Sequence, residues 1–324
     1  MSGVAFGNRK LCEYFKRAKF VFMDATYKIV PTELFYQAFI LHFLFEDERV
    51  PFLEDHVFPA LVILMEGKSR EDYDAAFELT NELFPEFSPV NGMADCEAAS
   101  RASAQQQFRG LLVRSCWFHY CQAIIQKIKS LGLIKVFKKN KSFADWVRKL
   151  MAVPLLPHYH MEAMYRELLQ KTFNFSEDAN FRKFRKFKQY MDSYWASKDF
   201  TQLSVFGLDR RTNNNCESFH AQYNALVSEK HPGLYDFADY TNEMLENYLM
   251  DFEKLLTNPE VPINRPRRAA LDSRDGKLKQ YERLLIGGDL TPMEFIEKNC
   301  HSSDGIIGKY FYFSIANFID SIYL

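Results

Sequence analysis

The chain has 324 residues, with 41 Lys and Arg against 42 Asp and Glu, so its formal net charge is −1. That balance excludes a global field for polyanions, and any nucleic-acid binding has to come from local patches. Hydrophobic residues make up 47% of the chain and include 31 Phe and 17 Tyr, which excludes extensive disorder and supplies a large core.

No apolar run approaches the ~20 residues that span a bilayer. The opening MSGVAFGNRKLCEYFKRAKF has neither an h-region nor a cleavage site, so an intracellular protein is expected. Six scattered cysteines fit free thiols in a reducing compartment better than a disulfide framework.

In chain order, KFVFMDATYKIV (19–30) is apolar on both faces and reads as a buried central strand. FYQAFILHFLFE (35–46) and VFPALVILME (57–66) read as two further strands, with DERVPFLED (47–55) between them as a loop. From Ser69 the pattern turns helical over 69–84, and Ser69 with Asp72 has the spacing of a capping box. A short strand (87–95), a helix (96–108), a strand (109–118) and a helix (119–133) follow. This β-β-β-α-β-α-β-α order predicts an α/β fold with a mixed sheet.

Beyond Lys135 the strand signal stops. Residues 141–204 show helical periodicity interrupted by Pro154 and Pro157, a helix carries Glu217, and another covers 235–256. Residues 257–272 read as a linker, and the rest to 324 is weakly patterned.

Two acids stand out at strand ends. Asp24 interrupts FVFM-D-AT in the most apolar strand, on a face shared with Phe20, Phe22 and Thr26. Asp is depleted in strands, and a buried carboxylate is normally neutralised, paired or metal-bound. Asp95 ends the short strand 87–95. Each has a plain alternative: Asp24 as a turn cap at an exposed strand end, Asp95 as a helix N-cap. Ligand sites of open α/β sheets gather at C-terminal strand ends, so neighbouring strands would bring the two carboxylates together. Such oxygen donors suit Mg²⁺ or Mn²⁺, and a pair of these ions serves phosphoryl transfer when a third carboxylate completes the set.

Cys116 and His119 form a C-x-x-H at a strand-to-helix junction. A packed or hydrogen-bonding pair explains it, and no second half-site follows at zinc-finger spacing. FRKFRKFK (181–188) interleaves Phe with cations, as an amphipathic helix with Phe inside and a cationic outer face would. KVFKKNK (135–141) is also basic, and RPRR (265–268) reads as a nuclear-import patch or a soluble linker.

Taken in order, FMDATYKIVP, QAFILHF, VFPALVILM, SREDYDAAFELTNEL, MADCEAA, SCWFHYCQAIIQKIKSLGL, PLLP and TNNNCESFHAQYN resemble the transposase domain of Mutator-like elements, from about Phe20 to Val227. The resemblance implies an RNase H-like mixed sheet flanked by helices, an all-helical insertion before the last catalytic acid, and a helical C-terminal region. On that pattern residues 1–18 are a short lead, 19–134 the first part of the core, 135–205 the insertion, 206–257 the helices completing the core, and 258–324 a linker and tail.

The resemblance puts the catalytic and metal-binding acids at Asp24, Asp95 and Glu217, holding two Mg²⁺ or Mn²⁺ ions, with Cys116 and His119 as accessory residues. It implies DNA as the partner, as transposon ends and target, in the nucleus and without a membrane; a homo-oligomer is compatible with it. Arg182, Lys183, Arg185, Lys186, Asn214 and His220 are the candidate DNA contacts. Members commonly carry a DNA-binding region ahead of the catalytic domain, often a Cys/His zinc module, for which residues 1–18 leave no room. Ser115 stands where Gly often precedes the C-x-x-H. The competing expectation is a domesticated or decayed transposase-derived protein that binds DNA or protein without catalysis.

Overall fold

The computed structural model describes residues 4–46, 56–95, 97–173, 178–227, 230–258 and 269–308. The expected 47–55 loop and the RPRR patch lie outside them. The fold is mixed α/β. Its elements begin with β1 (Val4–Gly7), α1 (Arg9–Phe15), β2 (Phe20–Thr26), β3 (Gln37–Leu44), β4 (Val57–Met65), α2 (Arg70–Leu83), β5 (Asn91–Ala94), α3 (Ala98–Gln107) and β6 (Leu112–Ser115).

These strands form one sheet in the order β1-β4-β3-β2-β5-β6. β2, β3 and β4 run antiparallel to their neighbours within that meander, whereas β5 joins β2 in parallel, with Met23 beside Ala94. The residues after that registered pair are Asp24 and Asp95, so the two acid-bearing strands are neighbours and end at the same edge.

Residues 1–18 are more than a lead: β1 pairs antiparallel with β4, and Asn8 caps α1 by accepting from the Lys10 and Leu11 amides. Four residues are too few to show a period, which is why VAFG carries no strand signal.

The helices after the sheet are α4 (Trp117–Ser130), α5 (Ile134–Lys139), α6 (Lys141–Ala152), α7 (His158–Gln170) and α8 (Asp178–Tyr190), the last running into a π-helical turn at Met191–Trp195. Then come α9 (Phe200–Leu203), α10 (Asn214–Leu226), α11 (Leu234–Thr257), α12 (Ala269–Gly287) and α13 (Pro292–Asn299).

The chain forms two compact units, Met1–Arg114 with Asn213–Pro266 and Ser115–Thr212 with Arg267–Leu324. In the first, β2 is apolar on both faces because both are covered. Val21, Met23, Phe39 and Leu41 pack with Tyr73 and Phe77 of α2 and Ala104 of α3. On the opposite face Ile40, Val62 and Leu64 pack with Phe219 and Tyr223 of α10 and Phe237 and Met244 of α11. The Ser69 capping box is present, with Ser69 accepting from the Asp72 amide and Asp72 from the Ser69 amide.

The second unit begins at Ser115, upstream of the expected insertion start at 135, because α4 is bonded into it. Trp117 Nε1 donates to Met151 O and the Tyr120 hydroxyl to Leu150 O, both at 2.8 Å. The described residues of the weakly patterned tail, up to 308, also fold into this unit. Arg148 binds Asp304 at 2.7 Å, Lys149 binds Glu297 at 2.6 Å, and Arg211 pairs with Asp275. Partners from elsewhere in the chain, Arg211 of a loop for α12 and Lys149 of α6 for α13, hold these helices, so their own periodicity says little.

Candidate functional site

Asp24 sits at the C-terminal end of β2 and is only 8% exposed. Side chains alternate along a strand, so it shares the α10-facing side with Phe22 and Thr26, cross-strand from Ile40. Its Oδ1 accepts from the Ala25 amide at 3.0 Å, and its Oδ2 lies 3.8 Å from His220 Nδ1. Burial rules out the exposed-cap reading of Asp24.

The helix that brings His220 is anchored to the same strand. Asn213, the residue before α10, donates from Nδ2 to Met23 O at 3.2 Å, and its own carbonyl accepts from the Glu217 amide at 3.1 Å. Residues three and four apart share a helix stripe, so Glu217 lies on the stripe of Asn213 and His220, with one anchor on each side of it. Cys216, Phe219 and Tyr223 form the neighbouring buried stripe against the sheet.

Beneath this stripe, His42 is fully buried, with Nδ1 3.5 Å from Cys216 Sγ and its ring edge-on to Phe219. Burial, reinforced by nearby His220, holds the His42 imidazole down to about 3. It is a neutral packing residue there.

Asp95 follows β5 and accepts the Glu97 amide on Oδ1 at 2.9 Å in the turn into α3; the N-cap of α3 is Glu97, so the N-cap reading of Asp95 does not hold. Glu97, which the motif reading passed over, accepts a hydrogen bond from the Tyr73 hydroxyl at 2.8 Å, and Gln37 Nε2 donates to that hydroxyl at 3.1 Å. Tyr27, just past β2, reports the company these acids keep. Its hydroxyl is pushed up to about 12, first by burial and then by the charges of Glu97, Tyr36, Asp95 and Asp24. Desolvation raises the Tyr73 hydroxyl likewise, with Glu97 and Asp95 adding to it. Asp24, Asp95 and Glu97 thus all lie within electrostatic reach of Tyr27. The only signal for Glu97 was its D-x-E spacing from Asp95, which also suits any entry to a helix.

Oxygen donors on Asp24, Asp95, Glu97 and Glu217 have the chemistry that Mg²⁺ or Mn²⁺ takes. Among the described residues no three His, Cys, Asp or Glu side chains are drawn close enough to hold an ion. An ion bound at Asp24 and Asp95 would therefore have to draw in its third carboxylate.

Cys116 and His119 belong to the second unit, where Cys116 is buried at the start of α4 and the Trp117 amide donates to Arg211 O. On α8, Phe184 and Phe187 are buried at 2% and 0%, whereas Phe181 is 45% exposed. Arg182, Arg185 and Lys186 face solvent and Lys183 is half-buried, as the amphipathic reading requires. Asn214 is exposed at the start of α10, and His220 is taken up beside Asp24. No helix among the described residues is long and apolar enough to cross a membrane. No family model matches the sequence, and no curated protein is significantly similar to it.

Proposed function

We propose that the chain is a DDE-type transposase domain of the Mutator-like kind, acting on DNA in the nucleus by metal-dependent phosphodiester cleavage and strand transfer. In this reading the sheet is an RNase H-like core and residues 115–212 are its helical insertion. One observation carries it: Asp24 and Asp95 end adjacent parallel strands, and α10 is tied to the Asp24 strand on both sides of Glu217.

Asp24, Asp95 and Glu217 would hold the divalent ions, which supply Lewis acidity to the attacking and leaving oxygens of the phosphodiester. The chain's own part is positioning. The Ala25 amide orients Asp24 Oδ1 and the Glu97 amide orients Asp95 Oδ1. Asn213 fixes the register of α10 on β2, and His220 offers Asp24 a counter-charge when protonated. Asn214, exposed one residue further on, is placed to meet a phosphate or a base edge.

The second reading, a transposase-derived protein that binds without cutting, is favoured by one feature. No three metal-ligating side chains converge among the described residues. A nicking and strand-transfer assay on plasmid and oligonucleotide DNA with Mg²⁺ or Mn²⁺ separates the two. Catalysis predicts products from the wild type and a loss of at least about 100-fold in Asp24→Ala; equal product from both supports the binding protein.

A further inference from the structure

Cations in the second unit are treated in two ways. On α6 and α7 they are neutralised by carboxylates: Lys141 by Asp145 at 2.6 Å, Arg148 by Asp304, Lys149 by Glu297, and Arg166 by Glu162 at 2.7 Å. On α8 the cations Arg182, Lys183, Arg185, Lys186 and Lys188 have no carboxylate partner among the described residues. From residue 181 to 198 the sequence holds a single acid, Asp192.

The π-helical turn then continues the positive surface in an unusual form. The Tyr190 and Tyr194 rings are stacked at 5.6 Å with planes 10° apart. Lys127 Nζ lies 4.8 Å from the Tyr190 centroid and Lys198 Nζ 4.1 Å from that of Tyr194. Trp195 donates from Nε1 to the Tyr190 hydroxyl at 2.9 Å, fixing that ring from the buried side. A π-turn is rare and commonly marks a functional segment. Here it sets two lysine ammonium groups on aromatic faces, which restricts flexible side chains without neutralising their charge.

We infer that α8 and its π-turn form a docking surface for the phosphate backbone of duplex DNA, with Arg182, Arg185 and Lys186 as contacts and the Lys127–Tyr190–Tyr194–Lys198 row as a preset edge. Charge complementarity identifies the partner: a run of cations left without carboxylates on a chain of net charge −1 is matched by a regular polyanion. The rings decide between duplex and single strand. Each is engaged by a lysine and by the other ring, and Phe181, 45% exposed on α8, stands apart from them, so the surface lacks a row of open rings on which successive unpaired bases could stack. The surface reads backbone. It extends the DNA reading of this chain from its catalytic edge to a second place, and does not depend on cleavage.

The test is fluorescence anisotropy of the full chain with a labelled 30-base-pair duplex in EDTA across a salt series, beside a single strand of the same length. Wild type is expected to prefer the duplex, with log affinity falling linearly against log salt. The Arg182→Glu, Arg185→Glu, Lys186→Glu triple variant should bind at least about tenfold more weakly, with a salt slope shallower by roughly 2–3. Tyr194→Ala, which releases Lys198, should weaken binding about threefold, and Tyr194→Phe should restore it. Binding in EDTA is read without cleavage, so a wild-type chain that binds the duplex and, given Mn²⁺, does not cut it defeats the catalytic reading and leaves this one standing. The triple variant changes solvent-facing positions, and an unchanged thermal melt verifies its fold. Unchanged affinity and slope in the triple variant overturn the inference, as does absence of duplex binding by wild type or preference for the single strand.

Discussion

At the scale of single residues, a dry histidine packs against the helix that brings His220 to Asp24. His42 has no access to water, and its folded imidazole is held to about 3 against roughly 6.5 in an unfolded chain. The unfolded state therefore takes up the proton first as pH falls. Stability contributed by the neutral ring is complete above about 6.5 and is lost progressively toward about 3. Urea denaturation of wild type should show a loss between pH 7 and pH 5 that His42→Phe reduces by about 2 kcal/mol. Equal losses in the two proteins would show that His42 is not held neutral. Asp24 was legible in the sequence because an acid in an apolar strand needs a reason, and Asp95 because it ended a strand. His42 was not, since its partner Cys216 arrives from a helix far along the chain. Nor was Glu97, which stands at the N-cap of α3 and has no apolar strand around it to make an acid conspicuous.

At the scale of elements, the fold follows from which strands can be buried on both faces. β2, β3 and β4 read as near-continuous apolar runs, and α2 with α3 on one side and α10 with α11 on the other account for them. The parallel addition of β5 to β2 is what aligns the two acids; strand order of this kind is not written in any one segment. β1 escaped notice because a four-residue edge strand gains its identity only from its partner. Its closeness to β4 has a direct test. A Cβ on Gly7 would meet Leu61 Cδ2 at 2.9 Å, Ala60 O at 3.0 Å and Cys12 Sγ at 3.1 Å. Gly7→Ala should destabilise the chain by about 1–3 kcal/mol in chemical denaturation, and an unchanged midpoint would contradict this pairing. On α8 the sequence pattern was sufficient: Phe184 and Phe187 turn inward at helical spacing and the cations turn out.

For the whole molecule, each compact unit is assembled from two separated stretches of chain. Helical periodicity announced the middle stretch, but the ion pairs that draw residues 269–308 into the same unit join positions no local pattern relates. The same interleaving explains why Glu217 stands so far in sequence from Asp24 and Asp95. The strand-ending acids come from the first stretch of their unit and Glu217 from its second, delivered by a helix whose neighbours on the stripe, Asn213 and His220, both reach β2. The two proposed functions fall to two parts: a carboxylate edge for phosphodiester chemistry, and a cationic helix for holding the duplex. Glu217 is the residue on which the catalytic assignment turns, because it alone must be drawn in from α10. The most direct measurement is the Mn²⁺-dependent nicking rate of Glu217→Gln on supercoiled plasmid, with DNA affinity measured alongside. The account predicts a rate at least about 100-fold below wild type at unchanged affinity; a rate equal to wild type would contradict it.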